Sequence, residues 1–188
     1  MKALILDASP SPDDPSARAA GALESVLRHR GARVSLVRLR TLSLHPCNGC
    51  FGCWTKRPGE CLIDDDARGV AAKIIAADLV ALAGPVRFGA WHSLAKSALD
   101  RIIGLVLPHF TMIDGEVHHE PRYARYPRWI SLGTMPRPDR EAQALFVRLM
   151  DRNAVNFHCP AHAAGVLSGD EDAMSLAGQL VASTEGVA

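Results

Sequence analysis

The chain has 188 residues, of which 48% are hydrophobic and 22% are charged. This length is enough to bury one sizeable core, so one globular domain over residues 1–188 is expected. The 21 Lys and Arg against 20 Asp and Glu leave a net charge of +1. That balance excludes the large basic field that drives binding to nucleic acid or to an anionic membrane surface.

The hydrophobic segments are too short or too interrupted for membrane or export functions. The first apolar run ends at Asp7, which is too early for a signal-peptide core. The longest apolar stretch, residues 70–86, is interrupted by Lys73, by Asp78 and by Gly84-Pro85, so it cannot span a bilayer. A cytoplasmic location is therefore expected. Disulfides are rare there, so the cysteines should stay reduced unless a metal or a redox function uses them.

Strands and helices are predicted to alternate along the whole chain. Short apolar or alternating runs predict strands, and apolar residues at helical spacing predict helices. In chain order, strands are predicted at 2–8, 33–39, 78–83, 126–133 and 161–167, and helices at 16–30, 64–76, 90–107, 137–151 and 170–182. This alternation is typical of a parallel sheet covered on both faces. It predicts a flavodoxin-like three-layer α/β sandwich with a five-stranded parallel sheet of order 2-1-3-4-5.

In such a sheet, ligands bind beyond the carboxyl ends of strands one and three. The loop after strand one, residues 9–18, contains hydroxyls, backbone N–H groups at a helix N-terminus and Arg18. These groups could hold a phosphate, although Ser and Pro also commonly begin helices without any ligand.

The loop after strand three, residues 83–92, contains two glycines and two aromatic residues. Gly84 and Gly89 let a backbone approach a ligand closely, and Phe88 and Trp91 offer flat surfaces. A structural turn that carries two core aromatics is the alternative interpretation.

The segment from Gly84 to Arg101 resembles that of a known family. Gly84-Pro85-Val86-Arg87-Phe88-Gly89, followed by Ser93, Lys96 and Ala98-Leu99-Asp100-Arg101, is similar to the P-V-Y/R-F/W-G…S…K…DR segment of the NADPH-dependent FMN reductases. The resemblance implies that the second loop wraps the isoalloxazine ring of FMN. The residues that it implies for this role are Pro85, Val86, Arg87, Phe88 and Gly89.

In that family the first loop reads like G-S-P-R-x-x-S-N-T and holds the FMN phosphate. By position, that role falls to Ser9, Ser11, Ser16 and Arg18, although Ala8 stands in place of the glycine and Ser11 in place of the arginine. The segment Ser131-Leu132-Gly133-Thr134-Met135 matches the third flavin-side loop of the family loosely, which makes Gly133 a further candidate.

Four cysteines lie close together after predicted strand two, at Cys47, Cys50, Cys53 and Cys61. Four thiolates at short spacing suit a [4Fe–4S] cluster, and the intervening glycines allow the backbone to wrap it. Zinc also accepts four thiolates, but its usual sites pair two separated C-x₂₋₄-C motifs, which this segment lacks. A loop with free thiols is the third alternative.

The cysteine spacing is similar to the C-x₂-C-x₂-C-x₄₋₇-C motif of the iron–sulfur flavoproteins, a branch of the same family. That resemblance implies that the four cysteines bind the cluster and that the protein is a homodimer or homotetramer.

The main hypothesis is an NAD(P)H-dependent FMN oxidoreductase that passes electrons through the cluster to a small-molecule or protein acceptor. No catalytic residue is assigned, because the flavin itself supplies the chemistry. NADH, NADPH and ferredoxin are not distinguished as donors, and the acceptor is open. The alternatives are a non-catalytic flavodoxin-type electron carrier, a flavin or quinone reductase without a cluster, and a non-redox protein with structural zinc.

Overall fold

The computed structural model describes residues 1–169 and 171–185. The strands are β1 (Lys2–Asp7), β2 (Arg33–Arg38), β3 (Leu79–Arg87), β4 (Ala90–Trp91), β5 (Val106–Ile113), β6 (Glu116–Pro121), β7 (Arg128–Met135) and β8 (His162–Ser168). The α-helices are α1 (Pro15–His29), α2 (Gly52–Thr55), α3 (Ala67–Ala76), α4 (Ser93–Asp100), α5 (Arg140–Asn156) and α6 (Ala173–Ser183), and short 3₁₀ turns occupy Leu39–Thr41 and Ile103–Leu105.

The central sheet has the order β2-β1-β3-β7-β8, and each of these pairs is parallel. The predicted flavodoxin-like order is therefore confirmed, with β7 and β8 as its fourth and fifth strands. Strand β4 adds a short antiparallel pairing to the end of β3.

The core lies on both faces of the sheet because successive side chains of a strand point to opposite faces. In β1, Leu4 and Leu6 pack with residues of α3, α4 and α5, whereas Ala3 and Ile5 pack with α1 and α6. Strands buried on both faces read as continuous apolar runs, as predicted for a parallel sheet.

The predicted helix over residues 90–107 is confirmed over Ser93–Asp100 and is wrong at both ends. Residues 90–91 pair with β3, α4 covers only Ser93–Asp100, and a new strand begins at Val106. Strands β5 and β6 then form a separate antiparallel hairpin that the sequence analysis did not assign. Gly104, within the shortened segment, lies so close to Cys53 that a Cβ on it would come within 2.9 Å of the Cys53 Cβ. This packing requires a turn that a continuous helix would not provide.

Three helix starts also lie three residues later than predicted, among them that of α5, which begins at Arg140 rather than at residue 137. Helix α3 begins at Ala67, so Asp64, Asp65 and Asp66 precede it, and the Asp65 carboxylate is bound by a distant arginine described below. Helix α6 begins at Ala173. The predicted start of the last helix, Asp170, lies outside the described residues.

Candidate functional site

The two loops predicted to bind a ligand meet at the carboxyl ends of β1 and β3. The backbone N–H of Ala8 donates to the carbonyl of Ala83 at 2.8 Å. A Cβ on Gly84 would come 3.0 Å from the Cβ of Ala8, so the first loop packs closely against β3 just beyond the end of β1. The helix after β1 lies on one face of the sheet and the helix after β2 on the other. This reversal defines the crevice in which open parallel sheets bind ligands.

In the first loop, two of the four predicted phosphate ligands are buried and already hydrogen-bonded. The Ser9 hydroxyl donates to Oδ1 of Asp7 at 2.5 Å and accepts from Nη1 of Arg40 at 2.7 Å. The Ser16 hydroxyl donates to Asp14, whose carboxylate also accepts the backbone N–H of Ser16 at 2.9 Å and caps α1.

The other two predicted phosphate ligands, Ser11 and Arg18, are exposed at the mouth of this loop. The structure therefore brings all four residues to this loop and the first turn of α1. Among residues 1–169 and 171–185, the side chains of Ser9 and Ser16 have hydrogen-bond partners and those of Ser11 and Arg18 have none. The structure also places the acidic Asp14 at the helix N-terminus, the position that an anion would otherwise occupy.

The second loop is a tight β-hairpin. Arg87 pairs with Ala90, so the turn consists of Phe88 and Gly89, whose φ values are 52° and 72°. Two positive φ angles are typical of the type I′ turn that joins antiparallel strands through two residues. Glycine adopts this conformation easily, but phenylalanine adopts it at a cost of roughly 1–2 kcal/mol.

Phe88 is 99% exposed at the tip of this turn. Pro85 and Val86 are buried beneath it, and Arg87 is exposed beside it. Gly89 seats the hairpin on α5, because a Cβ there would come 2.5 Å from Cδ2 of Leu145. A strained backbone and a fully exposed aromatic ring coincide at one position, which is the kind of outlier that clusters at ligand sites.

Gly133, the remaining predicted flavin ligand, is buried under the hairpin. A Cβ on it would come 2.5 Å from Cγ2 of Val86 and 3.1 Å from the Phe146 ring. The structure therefore gives Gly133 a packing role beneath the second loop.

The four-cysteine segment leaves β2 and returns to α3. Cys47 and Cys50 are exposed, Cys61 is partly buried, and Cys53 is buried at the start of α2. Burial raises the pKa of the Cys53 thiol, and the negative charges of Cys61, Cys47 and Cys50 raise it further. Cys53 is thus the cysteine influenced by the other three, although within residues 1–169 and 171–185 no three His, Cys, Asp or Glu side chains are grouped to hold a metal ion.

Five hydrogen bonds from the Arg101 side chain hold the cysteine segment in place. Its Nη atoms bind the Asp65 carboxylate at 2.7 and 2.8 Å and the carbonyls of His45 and Ile63 at 2.6 and 3.2 Å. Its Nε donates to Sγ of Cys61 at 3.2 Å. The side chains of Arg101 and Asp65 are 0% and 1% exposed, so this ion pair is fully buried.

The pKa of Asp65 reflects these contacts. Burial alone would raise the pKa of this carboxyl, but hydrogen bonds from Arg101 and from the backbone N–H groups of His45 and Ala67 hold it well below its usual range. Arg68 reinforces the segment, because its Nε donates to the carbonyl of Cys61 at 2.8 Å. Cys61 is therefore held at both its sulfur and its backbone.

The donor set suits a thiolate-bound metal group. All five cysteines of the chain are free, and four of them belong to this segment. An arginine N–H that donates to a ligand sulfur is a type of contact that tunes iron–sulfur clusters.

Sequence reasoning named Arg101 only as part of a family motif and missed its role. Its partner Asp65 lies 36 positions away, and no local pattern links the two residues. The network of Asp7, Ser9 and Arg40 was missed for the same reason.

A separate cavity of about 610 Å³ lies between α4 and α5, over β7 and under the cysteine segment. Among the described residues, no helix is long and apolar enough to cross a membrane.

Comparison with known proteins identifies the family. The family described as NADPH-dependent FMN reductase matches residues 1–110. The chain is also similar to an iron-sulfur flavoprotein of Methanocaldococcus jannaschii, with 30% identity over 101 residues that make up 54% of this chain and 51% of the relative. An iron-sulfur flavoprotein of Methanosarcina thermophila is 29% identical over 112 residues, or 60% of this chain and 58% of the relative.

These matches span between half and three fifths of the length of the curated relatives. Among solved structures, the NAD(P)H:quinone oxidoreductase from Methanothermobacter marburgensis superposes with a TM-score of 0.72 at 15% identity, covering 95% of this chain and 96% of that protein. At that identity the likeness supports the flavodoxin-like fold. The resemblance drawn from residues 84–101 is thus confirmed, and since the family match covers 110 of 188 residues, the chain belongs to the NADPH-dependent FMN reductase family.

Proposed function

We propose that the protein is an FMN-dependent oxidoreductase that accepts electrons from NAD(P)H. The observation that carries the proposal is the β3–β4 hairpin, which presents the fully exposed Phe88 ring in a left-handed turn beside the crevice between β1 and β3. Membership of the FMN reductase family supports FMN as the ligand.

In this proposal the hairpin residues Pro85 to Gly89 hold the isoalloxazine ring. Phe88 offers an aromatic face against which a flat ring packs with a preference of about 0.5–1.5 kcal/mol beyond simple burial. The exposed Arg87 adds positive charge beside the ring. The buried Pro85 and Val86 exclude water from the base of the hairpin. Gly133 supports the hairpin through Val86 rather than by contact with the ring.

The FMN phosphate would be held by the loop between β1 and α1. Ser11, Arg18 and the free backbone N–H groups of the loop are its ligands in this proposal, and Ser9 and Ser16 shape the loop from within. When bound, FMN supplies the electron and hydride chemistry, and the residues of the chain bind it, orient it and exclude water from it.

The hairpin can be tested by replacing Phe88 with asparagine. Asn-Gly is the preferred sequence for a type I′ turn, so Phe88→Asn removes the aromatic face and keeps the turn. We expect the Kd of the apoprotein for FMN, measured by quenching of flavin fluorescence, to rise about 3- to 10-fold, which corresponds to the range for an aromatic contact.

The matched control is Phe110→Asn. Phe110 is 64% exposed on the β5–β6 hairpin, so the same chemical change there should leave the Kd for FMN unaltered. Equal Kd values for Phe88→Asn and the unmodified protein would remove the hairpin from the proposed site.

We also propose that Cys47, Cys50, Cys53 and Cys61 hold a [4Fe–4S] cluster. The support comes from the thiol-only donor set, from the contact between Arg101 and the Cys61 sulfur, and from the names of two curated relatives. When bound, such a cluster supplies one-electron transfer.

The cluster is tested by anaerobic purification followed by iron, sulfide, zinc and flavin analysis of one sample. We expect iron and sulfide in equal amounts, lost in Cys61→Ala. Cys159→Ala is the control. Cys159 lies outside the motif and follows α5 in the chain, and burial raises the pKa of its thiol to about 12. Zinc without sulfide, or iron that persists in Cys61→Ala, would contradict the cluster.

A further inference from the structure

A largely buried arginine lies against the start of the loop between β1 and α1. Arg40 belongs to the 3₁₀ turn that follows β2. Its Nη1 donates to Oδ2 of Asp7 at 2.8 Å and to the Ser9 hydroxyl at 2.7 Å. The side chains of Arg40 and Asp7 are 17% and 4% exposed, and Ser9 is fully buried. The guanidinium is therefore held against the first residue of the loop proposed to bind the FMN phosphate.

The contacts with Asp7 and Ser9 use only part of the hydrogen-bonding capacity of Arg40. A guanidinium carries N–H donors on all three of its nitrogens, and both contacts are made by Nη1. Among residues 1–169 and 171–185, Nε and Nη2 of Arg40 have no hydrogen-bond partner, and the side-chain nitrogens that are both buried and unpartnered belong to other residues. Nε and Nη2 are therefore reached by solvent and are open to a ligand.

The two open nitrogens form one edge of the guanidinium. Nε and Nη2 present parallel N–H groups, and this fork matches two oxygens of a phosphate. Because Asp7 and Ser9 already hold the side chain, an anion that binds there orders Arg40 little further. Arg18, the other arginine at this loop, is exposed and would lose more side-chain freedom on binding. Arg40 is therefore the better prepared of the two as a phosphate ligand.

We infer that Arg40 is a ligand of the FMN phosphate and donates to it through Nε and Nη2. The inference rests on the proposed function, because that proposal assigns the loop after β1 to the phosphate. Asp7 and Ser9 are then positioning residues that hold the guanidinium at this loop. The family's phosphate-loop motif does not include Arg40, which reaches the loop from the turn after β2.

The test compares FMN with riboflavin, which lacks only the phosphate. The Kd of the flavin-free, full-length protein for each flavin is measured by quenching of flavin fluorescence, and the ratio of the two values reports on the phosphate. We expect the unmodified protein to prefer FMN and Arg40→Gln to lower this preference about 10-fold, the effect of a hydrogen bond to a charged group. A purely structural role of Arg40 would weaken the binding of both flavins alike and leave the ratio unchanged.

A double variant separates the loss of Arg40 from the charge left on Asp7. Arg40→Gln alone leaves a buried carboxylate without its counter-charge, which destabilises the fold and repels a phosphate. Asp7→Asn combined with Arg40→Gln removes both charges, so the net charge is unchanged and no buried charge stays unpaired. We expect the double variant to lower the preference for FMN about 10-fold as well.

Two further variants control for charge and for folding. Arg38→Gln is the matched control, because Arg38 is exposed at the end of β2, and it should keep the preference of the unmodified protein. Arg40→Lys keeps a positive charge beside Asp7 without the paired donors of the guanidinium, so it should lose part of the preference. The thermal unfolding of each variant confirms that it is folded.

The inference is overturned if the folded double variant and Arg40→Lys keep the full preference for FMN over riboflavin. If these variants keep that preference but no longer distinguish NADPH from NADH, the guanidinium serves the 2′-phosphate of the electron donor, and the inference is overturned as well. Both outcomes leave the proposed FMN site in place. Equal binding of the two flavins by the unmodified protein would instead contradict the proposed phosphate site and, with it, the role of Arg40.

Discussion

Removing the Arg101 side chain should destabilise the fold and loosen the cysteine segment together. In Arg101→Gln, the Asp65 carboxylate, whose side chain is 1% exposed, loses its counter-charge while it remains buried. The carbonyls of His45 and Ile63 lose their N–H donors at the same time. Breaking a buried ion pair by removing one partner costs about 3–5 kcal/mol, and that range is the expected loss in the free energy of unfolding.

The assay is urea unfolding of the unmodified protein and of Arg101→Gln, combined with the rate at which Cys53 reacts with iodoacetamide. Cys53 is 8% exposed, so it should react slowly in the unmodified protein and faster in the variant. Removal of Lys96 from its exposed pair with Asp100 is the control, and it should cost about 0.3–0.5 kcal/mol. A loss below about 1 kcal/mol for Arg101→Gln, as for an ordinary hydrogen bond, would refute the role given to this residue.

Three further predictions follow from single contacts. Since the folded-state pKa of Asp65 is depressed, its contribution to stability should be complete above about pH 5. That contribution should be lost progressively as the pH falls from the unfolded value of about 3.9 down through the lower folded value. Acid unfolding of Asp65→Asn should therefore show a shallower pH dependence than that of the unmodified protein, and an equal slope would contradict this. Asp14→Asn preserves the cap of α1 and removes a negative charge from the proposed phosphate site. The variant should therefore bind FMN more tightly than the unmodified protein does, and this gain in affinity should be larger at low salt than at high salt. A Kd for FMN unchanged at both salt concentrations would place the phosphate elsewhere. Gly133→Ala should lower the free energy of unfolding by about 1–3 kcal/mol, because the added Cβ overpacks against Val86. Gly21→Ala in α1, where a Cβ meets nothing within 4 Å, should instead stabilise the protein by about 0.5–1 kcal/mol. Similar urea midpoints for these two variants would show that the contact between Gly133 and Val86 is not tight.

The sheet could be predicted because local sequence patterns indicate its strands and helices, and the alternation of these elements is typical of a parallel sheet with this strand order. The apolar runs at 2–8 and 78–83 are continuous, as strands buried on both faces require, and helical patterns separate them. The hairpin of β5 and β6 also carries a local signal, Asp114-Gly115 between the alternating residues Phe110, Met112 and Val117. The predicted elements leave residues 108–125 without a strand, so this hairpin was missed.

The helix over residues 90–107 could not be corrected from the sequence. Its apolar spacing continues through Ile102, and the interruption depends on contacts with distant residues. Arg101 turns toward Asp65, and Gly104 packs against Cys53.

The candidate site was predictable in position but less so in detail. The loops after β1 and β3 lie where the topology of an open parallel sheet places them. The burial of Ser9 and Ser16 depends on Asp7, Asp14 and Arg40. Arg40 reaches this loop from beyond β2, and neighbouring sequence does not reveal that contact.

The edge of the sheet formed by the loops after β1 and β3 is the proposed FMN site. Calorimetric titration of the flavin-free, folded protein with FMN and with riboflavin, which lacks the phosphate, tests this proposal directly. We expect one FMN per chain, bound more tightly than riboflavin and reduced when NAD(P)H is added. Folded protein that takes up no FMN at saturating concentration would contradict it.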